Sequence, residues 1–244
     1  MSTPIQKMYR YCRGDGSLTI AVGLLILFAF VLYPMVEVGA LRRVWLDLTF
    51  GLFMALGAAF VFEPRPIVRL FLTALATAVL VSVGEIFFAY SWLFALRAAA
   101  TTIACVLLGW LLLVRVMRDG RMNVNRIMGA VGSYLLIGVV FAQLYRLLAW
   151  DIDGAFAIGG NPANFEAIHN LLSYYSFITL TSTGYGDITP VHPYARSLAT
   201  LEALSGNLFL TVLVARLVGL EMGWREEQRE RRRQDDDHAS STQL

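Results

Sequence analysis

The segment Thr181-Ser182-Thr183-Gly184-Tyr185-Gly186-Asp187 decides how the rest of the chain is interpreted. Glycine reaches backbone angles that a Cβ forbids, so the two glycines beside Tyr185 allow successive carbonyls to lie on one side of an extended segment. A row of carbonyl oxygens can then replace the water around a cation. The segment therefore predicts that the backbone itself coordinates an ion.

The composition indicates a membrane protein. Hydrophobic residues make up 57% of the 244 residues, and the mean hydropathy is +0.60, which is more than a soluble domain needs. The formal net charge of +2 is too small to indicate a nucleic-acid partner. Cys12, Cys105 and the three histidines lack the spacing of a disulfide framework or a metal site. We therefore expect no cofactor, no soluble substrate and no enzymatic step.

Six apolar stretches are long enough to cross a membrane, because a helical span needs about 20 apolar residues. The stretches are 18–36, 44–62, 67–90, 92–117, 127–150 and 194–224. A further helical pattern at 165–180 contains polar residues and leads directly into the glycine-containing segment. Non-helical backbone is tolerated at membrane depth only where it is buried in protein or lines a watery cavity, so this pattern predicts a re-entrant half-helix. Asn164 is its predicted N-cap, and Glu166 is an acid in its first turn.

The residues from Ser176 to Pro190, Ser-Phe-Ile-Thr-Leu-Thr-Ser-Thr-Gly-Tyr-Gly-Asp-Ile-Thr-Pro, resemble the pore of the six-helix potassium channel superfamily. They are especially similar to bacterial channels with a two-helix-type pore. The resemblance implies an all-α membrane protein with six transmembrane helices, a re-entrant pore helix and a selectivity filter that conducts K⁺ passively. One filter segment per chain requires a homotetramer to surround the ion. A poorly selective cation channel and a non-conducting regulatory channel subunit remain alternatives.

The expected organisation has five parts. They are a cytoplasmic N-terminus at 1–17, four voltage-sensor-like helices at 18–117, a cytoplasmic linker at 118–126, the pore domain at 127–224 and a cytoplasmic tail at 225–244. Arginine and lysine are concentrated in the parts assigned to the inner side, which predicts a multi-pass protein of the cell membrane, in contact with lipid, with both termini cytoplasmic. The tail is expected to continue the last helix for a few turns and to be disordered from Gln234. Lys7 is the single lysine among many arginines, which suggests a bacterial source.

The resemblance implies a role for each residue of the filter. The carbonyls of Thr183, Gly184 and Tyr185 would form stacked rings of oxygens around K⁺, with Gly186 at the outer end. Ser182 would add a hydroxyl ligand at the cavity end, where the family more often has threonine. Serine keeps the oxygen but lacks the stiffness of a β-branched side chain.

Four residues are expected to support the filter and its mouth. The Tyr185 side chain would point toward Tyr174 and Tyr175 on the half-helix, where aromatic packing could hold the filter at its working width. A plain core role for those two tyrosines is equally open. Asp187 would contribute to a ring of carboxylates that concentrates cations at the mouth, and Thr181 would support the filter.

Three residues of the sixth span are candidates for the gate or the inner pathway. Gly206 is either a bending point or a small residue that permits close helix packing. Glu202 and Asn207 are polar groups in an apolar span, and such groups indicate functional sites. For Glu202, we expect a structural hydrogen bond behind the filter.

The first four spans contain few candidate voltage-sensing charges. Arg97 lies within the fourth span, and Arg115, Arg118 and Arg121 follow at its inner end. Steep voltage gating uses about three or four charges per subunit inside the membrane field. The inner arginines are more typical of cytoplasmic anchors, so weak or no voltage dependence is expected.

Overall fold

The computed structural model describes residues 22–23, 25–27, 66–87, 91–116 and 124–241. Their elements, in chain order, are α1 (Pro66–Phe87), α2 (Ser91–Val116), α3 (Val124–Asp151), β1 (Phe156–Ile158), β2 (Asn161–Ala163), α4 (Phe165–Ile168), α5 (Leu172–Leu180), β3 (Ile188–Pro190) and α6 (Pro193–Ser241). The predicted span at 44–62 lies outside the described residues, as do Arg118 and Arg121. The span at 18–36 is described only at 22–23 and 25–27, which are helical.

Three helical stretches of the described residues are long and apolar enough to cross a membrane. They are Trp92–Val114, Ile127–Asp151 and Pro193–Arg216. The predicted span at 67–90 is described only up to Phe87, and this part lies in the helix α1. Prolines begin both α1 and α6, at the helical position where a missing N–H removes no hydrogen bond. The protein is therefore mostly helical in its described part, as a membrane protein of this composition requires.

Two hydrophobic clusters hold these elements together. One joins α1, α2 and α3 through Phe71, Leu75, Cys105, Leu108, Leu112 and Leu136. The other lies under the small sheet, between α3, α5 and the beginning of α6, and contains Phe141, Tyr145, Phe156, Leu172, Tyr175 and Ile188. The second cluster is the one that supports the predicted filter segment.

A three-stranded antiparallel sheet, in the order β2-β1-β3, was not predicted from the sequence. Gly159 and Gly160 connect β1 to β2 with φ angles of +57° and +87°. Positive φ angles at both positions suit the two-residue turn of a β-hairpin. The register pairs Ile158 with Ile188. The hairpin is therefore attached to the residue that directly follows the predicted filter.

The half-helix predicted at 165–180 is interrupted, which corrects the expectation of one continuous helix. It consists of α4 and α5, separated by residues 169–171. Arg146 Nε donates a hydrogen bond to the His169 carbonyl at 3.1 Å. The partner of this carbonyl is therefore a side chain of α3 and not a backbone N–H group of its own helix. The predicted N-cap is present, because Asn164 Oδ1 accepts a hydrogen bond from the Ala167 N–H at 3.0 Å.

Helix α6 has 49 residues and continues to Ser241. The sequence predicted only a short extension beyond Trp224 and disorder from Gln234. Acidic and basic residues alternate in this part of the chain, as with Glu227 and Arg231, which lie four positions apart. Pairs at this spacing support a helix that projects into water, which accounts for the difference.

Candidate functional site

Left-handed backbone recurs at every second residue of the filter segment. The φ angles of Ser182, Gly184 and Gly186 are +56°, +53° and +79°, while Thr183 and Tyr185 do not have positive φ. In an extended strand, successive carbonyls point in opposite directions. Inverting every second residue counters that alternation, so carbonyls can follow one another on the same side. Ser182 is the single non-glycine residue with positive φ among the described residues.

The N–H groups in the first part of this segment, up to Gly184, donate to the end of α5. The Ser182 N–H donates to the Thr179 carbonyl at 2.9 Å. The N–H groups of Thr183 and Gly184 both donate to the Ile178 carbonyl, at 2.8 and 3.1 Å. Among the described residues, none donates a hydrogen bond to the carbonyls of residues 183–185. Backbone oxygens require a partner, so these carbonyls remain available to a cation.

Thr181 lies at the inner end of the segment, directly after α5. Its hydroxyl donates to the Phe177 carbonyl at 2.8 Å, and the Thr183 hydroxyl lies 2.9 Å from it. The Asn207 amide donates to the Ser182 hydroxyl at 3.1 Å. The inner end is therefore held by α5 on one side and by α6 on the other.

The outer end of the segment is fixed by the hairpin and by α5. The Gly159 N–H donates to the Asp187 carbonyl at 2.9 Å. The Tyr174 hydroxyl is hydrogen-bonded to Asp187, and desolvation together with this bond raises the pKa of the Tyr174 phenol. Asp187 is thus held through both its backbone and its side chain.

The two tyrosines of α5 have different surroundings. Tyr175 is buried, with its ring centroid 5.1 Å from that of Tyr145 and 5.5 Å from that of Phe156. Tyr174 is half-exposed, and Tyr185 is 72% exposed in the single chain. Tyr175 therefore has a core role. The expected packing of Tyr185 against Tyr175 is not formed within one chain.

A buried polar cluster lies behind the filter segment. Glu202 of α6 is fully buried and accepts a hydrogen bond from the Tyr145 hydroxyl of α3 at 2.5 Å. The Ser176 hydroxyl of α5 bonds to the other carboxylate oxygen and lies 2.7 Å from the Gly138 carbonyl of α3. This cluster joins three helices, in agreement with the expected structural role of Glu202.

Gly206 lies where α6 touches the end of α5. A Cβ at this position would lie 2.3 Å from the Leu180 carbonyl oxygen, which is too close for any other residue. The Tyr134 hydroxyl donates to the same carbonyl at 3.2 Å. The contact supports the packing role of Gly206, while its role as a bending point stays a prediction.

Comparison with known proteins agrees with this arrangement of helix, half-helix, filter segment and helix. A family model described as "Ion channel" matches residues 133–220. Protein LctB from Bacillus caldotenax is 35% identical over 121 residues, which cover 48% of this chain and 90% of that protein. The chain belongs to the ion channel family.

Two further relatives are similar to shorter parts of the chain. The inward rectifier potassium channel Kirbac3.1 of Paramagnetospirillum magnetotacticum is 35% identical over 81 residues, covering 33% of this chain and 24% of that protein. Protein LctB of Geobacillus stearothermophilus is 38% identical over 90 residues, covering 34% and 62%. These similarities support the potassium channel superfamily and a non-enzymatic role in ion transport. No solved structure matches the chain.

Arg97, a candidate voltage-sensing charge, lies in an ion pair between α1 and α2. Arg97 of α2 donates from Nε to both carboxylate oxygens of Glu85 of α1, at 3.0 and 3.1 Å. Its guanidinium carbon also lies 5.4 Å from the centroid of the Phe94 ring. Arg115 belongs to α2. The structure thus brings Arg97 together with Glu85 and not with the filter.

Several residues of the channel site were missed by reasoning from the sequence. Tyr145 and Ser176 are partners of Glu202, although each is unremarkable in its own segment. Arg146 donates to the Ser173 hydroxyl at 2.6 Å and so connects α3 to α5. A polar residue in an apolar segment was the one available signal, and it does not identify the partner.

Proposed function

We propose that this chain forms a homotetrameric, potassium-selective channel that conducts K⁺ passively and has weak or no voltage dependence. The observation that carries the proposal is the hydrogen bonding of the filter segment. The N–H groups of Ser182, Thr183 and Gly184 donate to carbonyls of α5, and the carbonyls of residues 183–185 have no partner among the described residues. K⁺ is bound in proteins by carbonyl oxygens that replace its hydration shell. The Ser182 hydroxyl adds a ligand of the same kind at the cavity end.

The tetramer follows from the geometry of coordination. One chain supplies carbonyls on one side of an ion, so the remaining oxygens must come from copies related by cyclic symmetry. Helix α6 exposes an apolar surface that includes Leu201, Leu204, Leu208 and Val212. Such a surface is compatible with contact between copies of the chain and with lipid. Native mass spectrometry of the detergent-solubilised protein is expected to give a mass of four chains.

Conduction is tested with purified protein in liposomes. K⁺ efflux from vesicles that contain this chain as their single protein is expected, together with block by Ba²⁺. Gly184→Ala is the matched control, because the position has open space around it but a φ of +53°, which costs a residue with a Cβ about 1–2 kcal/mol. A folded wild-type chain that carries no K⁺ would instead support a non-conducting regulatory subunit.

Selectivity and voltage dependence are tested in planar bilayers. Reversal potentials in mixed K⁺ and Na⁺ gradients are expected to follow the K⁺ gradient, and equal permeabilities would support the poorly selective cation channel. Open probability is expected to change little with voltage, because Arg97 is paired with Glu85 and steep gating needs about three or four mobile charges per subunit. A steep dependence would contradict this part of the proposal.

A further inference from the structure

Asn207 and Ser182 form a direct link between α6 and the filter segment. They lie 25 positions apart in the sequence, and the Asn207 Nδ2 atom donates to the Ser182 Oγ atom at 3.1 Å. Both side chains are exposed in the single chain, on the side left open at the inner end of the filter. Asn207 therefore reaches the one filter residue whose side chain is an expected ion ligand.

The position of Asn207 is fixed by its neighbours. Gly206 brings α6 against the Leu180 carbonyl, where no Cβ could fit. The Thr211 hydroxyl donates to the Asn207 carbonyl at 2.8 Å. The amide of Asn207 is thus presented to Ser182 by a part of α6 that is itself tightly packed.

The chemistry of the serine hydroxyl explains what this contact does. A hydroxyl has one donor and two acceptor lone pairs. A hydrogen bond accepted from Asn207 uses one lone pair and leaves the other for a cation. Serine lacks the β-branch that restricts the side-chain rotamer of threonine, and its backbone here has a φ of +56°, a conformation that is unfavourable for β-branched residues. The hydroxyl of Ser182 must therefore be oriented by an outside group.

We propose that Asn207 is a positioning residue for the cavity-end ion site. Its amide orients the Ser182 hydroxyl and thereby sets the affinity of that site for a cation of the size of K⁺. The inference rests on the proposed function, because the cavity-end ion site exists only if the filter segments of four chains surround the ion. It links the inner helix to the filter through one hydrogen bond, so that the strength of the innermost site depends on a residue outside the filter sequence.

The test measures block by Ba²⁺ applied from the cavity side to full-length protein in planar bilayers. Ba²⁺ is similar in size to K⁺ but has twice the charge, so it binds the same oxygens and reports their arrangement. Asn207→Leu keeps the approximate shape of the side chain and removes the donor. It is expected to raise the Kd for Ba²⁺ about five- to tenfold, the effect of losing one hydrogen bond. Ser182→Ala is expected to have an effect of similar size.

A variant with both substitutions distinguishes a positioning role of Asn207 from a general effect of its side chain on the cavity. In a Ser182→Ala background, Asn207→Leu is expected to change the Kd no further, because the group that it orients is already absent. Thr200→Val is the matched control, since it removes a hydroxyl of the same helix that bonds to the Arg196 carbonyl and not to Ser182 or Asn207. Its Kd is expected to equal that of the wild type. If Asn207→Leu fails to assemble, Asn207→Ser, whose hydroxyl is shorter than the amide, should give the same increase.

Two results would overturn the inference while leaving the proposed function intact. One is an unchanged Ba²⁺ affinity in a conducting Asn207→Leu channel. The other is a double variant whose loss equals the product of the two single losses. Absence of K⁺ flux from the wild-type chain would overturn the proposed function, and the inference with it.

Discussion

The Tyr145 hydroxyl of α3 donates a hydrogen bond of 2.5 Å to the Glu202 carboxylate of α6, although the two residues lie 57 positions apart. The other carboxylate oxygen bonds to Ser176 of α5. The two helices that flank the filter segment and the half-helix that carries it therefore meet at one buried side chain. A group in this position determines how firmly the half-helix is held.

Removing the carboxylate is expected to destabilise the protein. Glu202→Leu leaves the buried Tyr145 hydroxyl without its acceptor, and such a loss costs about 1–3 kcal/mol. Glu202→Gln should be close to the wild type, because its amide can accept from Tyr145 and donate to Ser176, whose hydroxyl then donates to the Gly138 carbonyl. Thermal unfolding of the solubilised protein measures the difference. Equal unfolding temperatures for the two variants would contradict the role given to this cluster.

The contact between Gly206 and Leu180 gives a second prediction. Gly206→Ala places a Cβ against a backbone oxygen that cannot move independently of α5, and overpacking of this kind costs about 1–3 kcal/mol. We expect reduced stability and reduced K⁺ flux. Gly219→Ala is the control in the same helix, since its Cβ would meet open space and alanine favours a helix by about 1 kcal/mol over glycine. A Gly206→Ala protein as stable as Gly219→Ala would show that the contact is not constraining.

The features that could be predicted from the sequence are local. The glycine spacing at Gly184 and Gly186 determines the left-handed backbone, and the Asn164 cap acts on a residue three positions away. Three of the six predicted apolar stretches correspond to described helices that are long and apolar enough to cross a membrane, because length and hydropathy are sufficient to predict such a span.

The remaining features depend on contacts between distant parts of the chain. The predicted half-helix is broken at the place where Arg146, on another helix, donates to the His169 carbonyl. The hairpin at Gly159 and Gly160 does carry a recognised turn signal, but its strands have only three residues each, too few to show an alternating pattern. Glu202 was identified as a polar exception, whereas Tyr145 and Ser176 could be assigned to it only from the fold.

The pair formed by Arg97 and Glu85 gives a third prediction. The two side chains are 11% and 28% exposed, so the pair is partly buried between α1 and α2. Arg97→Gln leaves Glu85 without its partner, and we expect a loss of about 1–2 kcal/mol, less than the cost of breaking a fully buried pair. The double variant Arg97→Gln with Glu85→Gln should recover much of the stability. Thermal unfolding tests the coupling, and additive losses would contradict it.

The hydrogen bond between Tyr174 and Asp187 gives a prediction on pH. Desolvation and this bond raise the pKa of the Tyr174 phenol above its ordinary value of 10.0. Because the folded pKa is higher than the unfolded one, the stabilisation is fully present below the unfolded pKa and is lost as the pH rises through the folded pKa. The absorbance of phenolate is measured during alkaline titration of the wild type and of Tyr174→Phe. The difference between the two absorbances is expected to appear only above the pH at which a free tyrosine ionises. A difference that appears at that pH or lower would mean that the Tyr174 phenol is not held by Asp187, and the mouth of the filter would then be fixed by the hairpin alone.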